Sequence, residues 1–333
     1  MKIAILAPIA WRTPPRHYGP WEQMASNLAE GLVAKGVDVT LFATADSITA
    51  GKLSAICAKG YAEDPQADAK VNECMHISYL MEQAGDFDII HNHFDFLPLT
   101  WSGLIKPPMV TTIHGFSSPK IIPVYQRFND IGKYVSISNS DRHPTLQYAA
   151  TVYNGIRTAD FAFEPSPDDY LLYYGRIHPD KGTHEAVQIA LHTGCQLIIA
   201  GIIQDEGYYK EKVKPFIDEE QIRYIGAVGG KKRSELLGSA QALLHPISFN
   251  EPFGLSVAEA MLCGTPVIAF NKGSMPELII DRKTGFLVNN IREAAAAVED
   301  LSLINRLDCH LHAKEKFSAE KMVEQYMALY DTL

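Results

Sequence analysis

Apolar residues along this chain fall into short dense runs, separated by longer segments in which they recur at helical spacing. The first run is IAILAP at 3–8, and the segment from Trp21 to Lys35 then sets Trp21, Met24, Ala25, Leu28, Leu32 and Val33 on one helical face. Further runs stand at VDVTLFA (37–43), DIIHNH (88–93), MVTTIHG (109–115) and YVSIS (134–138). They are bounded by Gly, Pro and Asp and spaced widely enough for crossover helices, so the first half predicts a parallel α/β sheet. Between Asn154 and Asp169 the chain reads NGIRTADFAFEPSPDD, which is rich in Pro and Asp and has no period, and it marks a domain boundary. Runs resume at YLLYYG, QLIIAG, IRYIGAV, ALLHPI, PVIAF and GFLV, alternating with the helical patterns GTHEAVQIALHTG and KKRSELLGSAQ. The expectation is an α/β protein of two doubly wound, Rossmann-like domains facing across a cleft. Ligands of such sheets bind beyond the carboxyl ends of the strands.

At 333 residues, with 47% hydrophobic and 21% charged residues, the chain is long enough for two cores and too ordinary in composition for a disordered or fibrous protein. No apolar run spans a bilayer, and KIAILAPIA is too short and too poorly flanked for a signal peptide, so a cytoplasmic protein is expected. Five scattered cysteines without a C-x-x-C pair read as buried thiols rather than a disulfide framework or zinc site. A net charge of -9 argues against a broad nucleic-acid footprint.

Chemistry concentrates in two loops of the second half. In FNEPFGLSVAEAMLCGTPVIA (249–269), Glu251 lies in a loop, Gly254 to Ser256 open a helix and Glu259 falls inside it. A helix N-terminus offers free N–H groups to a phosphate, and flanking carboxylates suit sugar hydroxyls. A capped helix with one surface and one structural Glu gives the same pattern. In YYGRIHPDKG (173–182), Gly175 ends a strand and Arg176 and Lys181 precede a helix, which makes an anion clamp or an ordinary solvated loop. Lys231, Lys232 and Arg233 read as a solvated helix end.

E-x7-E within EPFGLSVAEAM, the GR-x4-KG loop, LIIAG at 197–201 and NGI at 154–156 together resemble the family 4 retaining glycosyltransferases of GT-B fold. The resemblance implies a hexosyltransferase that moves a sugar from a nucleotide-diphosphate donor, a UDP-sugar ahead of GDP-mannose, to a carbohydrate-like acceptor with retained configuration and no metal or other cofactor. It implies that Arg176 and Lys181 hold the diphosphate, that Glu251 and the backbone of Phe253, Gly254 and Leu255 hold the sugar and distal phosphate, and that Glu259 holds the ribose. Gly175 and Gly201 would line the donor, and His114 the reacting centre. His114, Glu251, Arg176 and Lys181 are therefore the candidate catalytic set. The fold implied would return a C-terminal helix near 318–333 to a first domain of residues 1–155, leaving 156–317 as the donor-binding domain. One departure stands in the first loop, where YGPWE carries Pro20 at a position that is often glycine, so that only Gly19 could offer an N–H to phosphate.

Arg12, Arg16, His17 and Tyr18, with His91, His93 and Asp95, are expected to form an acceptor pocket at strand ends of the first domain. Strand alternation puts His91 and His93 on one face, which allows two hydrogen-bonded histidines or a metal site that has no third ligand in the sequence. A two-lobed sugar-binding protein is disfavoured, because it needs a secretory signal and no diphosphate clamp. A nicotinamide enzyme would need a G-x-G-x-x-G after the first strand, where the chain reads APIAWRTPPRHYG. A non-hydrolysing nucleotide-sugar epimerase of the same fold remains the enzyme alternative.

Overall fold

A computed structural model describes residues 1–17 and 19–333; Tyr18, placed above in the acceptor pocket, lies outside the described residues. The chain divides into two compact units, Met1–Gly155 with Ala319–Leu333, and Ile156–Ser318.

The first unit holds a seven-stranded parallel sheet of β1 (Lys2–Leu6), β2 (Asp38–Phe42), β3 (Lys52–Ser54), β4 (Ile89–Asn92), β5 (Met109–Ile113), β6 (Lys133–Ser136) and β7 (Tyr148–Thr151), in the order β3-β2-β1-β4-β5-β6-β7. Alternation along β1 sends Ile3 and Ile5 to one face, against Leu28 and Leu32 of the helix Pro20–Ala34 and Val323 and Tyr326 of the helix Ala319–Tyr330. Ala4 and Leu6 face the other way, against Phe42, Ile77 and Leu80. Because both faces are covered, the strand is apolar without interruption from Ile3 to Leu6. Each fully buried Ile or Leu contributes about 1.5–3 kcal/mol. The first helix starts with Pro20, whose missing N–H costs nothing at that position.

The second unit has a six-stranded parallel sheet of β8 (Leu171–Tyr174), β9 (Leu197–Ala200), β10 (Ile222–Tyr224), β11 (Ala242–His245), β12 (Val267–Phe270) and β13 (Gly285–Val288), ordered β10-β9-β8-β11-β12-β13. In each sheet the strand order reverses beside the unit's first strand, between β1 and β4 and between β8 and β11. A crevice for ligand opens at such a point, outside the carboxyl ends of the strands.

The six runs of the second half all form strands, whereas β3 and β7 were not expected. Both lie at sheet edges and keep exposed or half-exposed residues, so neither shows the dense apolar run that marks a buried strand. Cys57, Cys263 and Cys309 are buried and Cys195 is half-buried, but Cys74 is exposed, since it falls on the outward side of the helix Ala69–Met81. Among the described residues no helix is long and apolar enough to cross a membrane.

Candidate active site

In the second unit the loops after β8 and β11 meet at the point where the strand order reverses. Gly182 adopts a left-handed φ of 71°, and a Cβ there would lie 1.9 Å from the Pro246 carbonyl oxygen, so the residue must be glycine for the loops to touch. The Ser248 N–H bonds the Asp180 carbonyl at 2.9 Å across the same seam. This close approach brings Lys181 against Glu251 as a charge-assisted hydrogen bond, with only 15% and 13% of the two side chains exposed. The Lys181 ammonium also sits 4.7 Å above the Phe249 ring. His245, at the end of β11, places Nε2 3.9 Å from the Glu251 carboxylate, and burial holds its pKa down to about 3, so it is neutral.

Beside this pair Gly254 caps the helix Leu255–Leu262. Its first N–H groups have no helical carbonyl to bind and stand at the positive end of the dipole. Glu259 on the same helix is 7% exposed and pairs with Arg233 at 3.4 Å, while the Arg233 guanidinium packs 4.9 Å from the Phe161 ring. Burial raises the Glu259 carboxyl above its ordinary range, and the Arg233 charge opposes that rise. Arg233 is therefore not the solvated helix end expected of the Lys-Lys-Arg run, because the helix Gly230–Ser239 turns it inward onto a carboxylate. Arg176 is bound by Gln204. Gly175 and Gly201 pack backbone to backbone, and a Cβ on Gly201 would come 1.7 Å from the Gly175 carbonyl oxygen. That gives Gly201 a packing reason independent of any ligand, whereas a Cβ on Gly175 would meet nothing closer than the Tyr173 hydroxyl at 3.6 Å.

In the first unit the end of β5 presents His114, 9% exposed, stacked on Trp21 with ring centres 5.7 Å apart. Its Nε2 lies 2.9 Å from Nδ1 of His93, whose ring overlaps that of His91 at 4.3 Å. His91 does not face an acceptor: it has no exposed surface, its Nε2 bonds Thr112 at 2.7 Å, and its Nδ1 bonds the Tyr330 hydroxyl. His93, 1% exposed, likewise lies behind His114 rather than in an open pocket. His91 belongs to a buried polar chain that Thr112 continues to the Tyr326 hydroxyl at 2.6 Å, and His93 meets that chain through its ring contact with His91.

The remaining acceptor candidates also have protein partners. Arg16 bonds Asp46 and Glu63, each at 3.1 Å. Arg12 donates to the Pro14 carbonyl. Asp95 accepts from Tyr125 and Ser117, while His17 is exposed. Gly19 is buried at the start of the first helix, where a Cβ would lie 2.9 Å from Glu22 Oε2. Glu22 itself is 3% exposed, and burial pushes its carboxyl up to about 7 against the N–H of Trp11.

Arg233, His245, Phe249, Gln204, Trp21 and Glu22 were not expected at the site. Arg233 read as a solvated helix end and Trp21 as one apolar position on a helix face, while His245 stood out as a polar residue closing the apolar run ALLHPI.

The chain matches the family model for glycosyl transferases group 1 over residues 157–316 and that for glycosyltransferase family 4 over residues 22–160. It is 26% identical to glycogen synthase of Mycobacterium tuberculosis, across 83% of this chain and 80% of that protein. It is 24% identical to phosphatidyl-myo-inositol mannosyltransferase of Mycobacterium leprae, across 100% of this chain and 97% of that one. Among solved structures, Anabaena HepE in complex with UDP and glucose superposes over the full length of both chains with a TM-score of 0.74 at 18% identity.

Proposed function

This chain belongs to the family 4 glycosyltransferases of GT-B fold, and from that premise we propose that it transfers a hexose, with retained configuration, from a nucleotide-diphosphate sugar to the hydroxyl of a saccharide or glycoconjugate in the cytoplasm. The observation that carries the reading is the buried pairing of Lys181 with Glu251 beside the N-terminus of the helix Leu255–Leu262. Transfer develops positive charge on the sugar and negative charge on the departing diphosphate. Lys181, Arg176 and the helix N–H groups meet the diphosphate. Glu251, held in place by Lys181, accepts from sugar hydroxyls, and Glu259 accepts from the ribose. His114 lines the reacting centre. With these cations in place the diphosphate requires no divalent metal. UDP-sugars are the favoured donors, in keeping with UDP bound by the structural neighbour, and GDP-mannose follows, in keeping with the mannosyltransferase relative.

Thermal shifts with UDP-, GDP- and ADP-sugars, in EDTA and again with Mg²⁺, test this, because a ligand that binds the folded state alone stabilises it by RT ln(1 + [L]/Kd). The expected result is stabilisation by one nucleotide class irrespective of metal. Stabilisation by none, or only with metal, refutes the respective part. Conversion of the nucleotide sugar to an isomer without any acceptor would favour the epimerase instead.

A further inference from the structure

His93 and His114 are joined through Nδ1 of the first and Nε2 of the second, 2.9 Å apart, and one of the two atoms must carry the proton. Burial keeps both rings neutral, so each holds a single N–H. Which one donates is decided by the far side of His93. Its Nε2 is buried and has no hydrogen-bond partner among the described residues. A proton on that nitrogen would leave a buried donor unsatisfied, whereas a proton on Nδ1 goes into the bond with His114 and leaves only a bare acceptor behind. Buried N–H groups without partners are the rarer of the two. His93 therefore donates from Nδ1, His114 accepts at Nε2, and the single proton of His114 is forced to Nδ1.

We infer that His93 is a positioning residue that locks His114 in the Nδ1–H tautomer, so that the partly exposed ring presents a hydrogen-bond donor, and not a base, to its ligand. The ligand atom it suits is an oxygen, of a sugar hydroxyl or a phosphate. The surrounding contacts hold this arrangement in place. Trp21 stacks on His114 with the ring planes 24° apart. His91 covers the other ring of the pair and is itself tied to Tyr330 and, through Thr112, to Tyr326. The helix Ala319–Tyr330 thus fixes the plane of His91, and His91 that of His93. Only the nature of the ligand rests on the proposed glycosyl transfer; the tautomer does not.

The test is a long-range proton–nitrogen correlation spectrum of the full chain carrying ¹⁵N-histidine, at neutral pH, with His114 assigned by its loss in His114→Asn. In the wild type, His114 is expected to show a pyrrole-type Nδ1 and a pyridine-type Nε2. His93→Asn keeps an N–H near the position of Nδ1 and should preserve that pattern, while His93→Asp puts an acceptor there in place of the donor and should draw the His114 proton to Nε2. A wild-type His114 protonated at Nε2, or a tautomer unchanged in His93→Asp, overturns the inference. If the aspartate variant does not fold, the wild-type and asparagine spectra still decide it. A second readout compares stabilisation by UDP-glucose with that by UDP, and by GDP-mannose with that by GDP. The sugar-specific part of affinity should fall about tenfold in His93→Asp, the worth of one hydrogen bond, and be retained in His93→Asn. No sugar-specific part in the wild type would count against the proposed function while the tautomer result stands.

Discussion

Replacing Arg233 by Met, which keeps an unbranched apolar stem against Phe161, leaves the Glu259 carboxylate buried without its cation. At 3.4 Å and an effective dielectric constant near 20, the lost attraction is about 5 kcal/mol. Arg233 keeps 31% of its side chain exposed, so solvent already screens part of this. About 3 kcal/mol remains, the lower end of the range for orphaning a buried charge. For a unit of this size that loss lowers its melting temperature by roughly 6–12 °C. The effect also has a pH signature. A carboxyl whose folded pKa is raised contributes stability below its unfolded value, near the ordinary 4.5, and loses that contribution as pH rises through the folded value. Removing Arg233 raises the folded value of Glu259 further, so the variant should be closest to wild type in acid and fall behind as pH rises. Differential scanning calorimetry of Arg233→Met between about pH 5 and 8 measures this, and adding Glu259→Gln should recover most of the loss at neutral pH. A melting temperature within about 2 °C of wild type at pH 8, or no recovery in the double variant, would show that the pair does not carry the energy assigned to it.

Glu22, raised by burial to about 7, favours the folded state below its ordinary 4.5 and loses that contribution as pH climbs through 7; Glu22→Gln should flatten the fall in stability between about pH 5 and 8, and an unchanged slope refutes the assignment. Lys181→Ala should lower turnover by about 10² to 10³, as for loss of a charge-stabilising donor, and a near-normal rate would remove Lys181 from the diphosphate site. Proton NMR of the first-formed product should show the anomeric configuration of the donor, and inversion would exclude the proposed mechanism.

Much of the architecture was legible because it depends on local pattern. A parallel strand covered on both faces is apolar at nearly every position, so the strands of the second sheet appear as dense runs, interrupted only at Arg223 in β10 and closed by His245 in β11, and the loops at their carboxyl ends can be read directly after them. EPFGLSVAE and GRIHPDKG were singled out in this way, from residue types and spacings within one loop. Edge strands β3 and β7 escaped because no residue of either is fully buried, which relaxes the demand for apolar side chains, whereas the edge strands β10 and β13 each keep a buried apolar residue. Pairing between distant segments was beyond the same reading. Lys181 and Glu251 are 70 positions apart, and nothing in either loop distinguishes two groups facing a ligand from two groups facing one another. Arg233 looked like part of a solvated basic run, since helical phase relative to a carboxylate on another helix is set only when both helices dock on the sheet. His91 and Tyr330, 239 positions apart, meet because the last helix packs on the first sheet, and that contact turns a candidate ligand-binding histidine into a buried support. Periodicity along the chain determines which elements form and where their loops emerge; which charges and imidazoles neutralise one another is decided by contacts that exist only once those elements have packed.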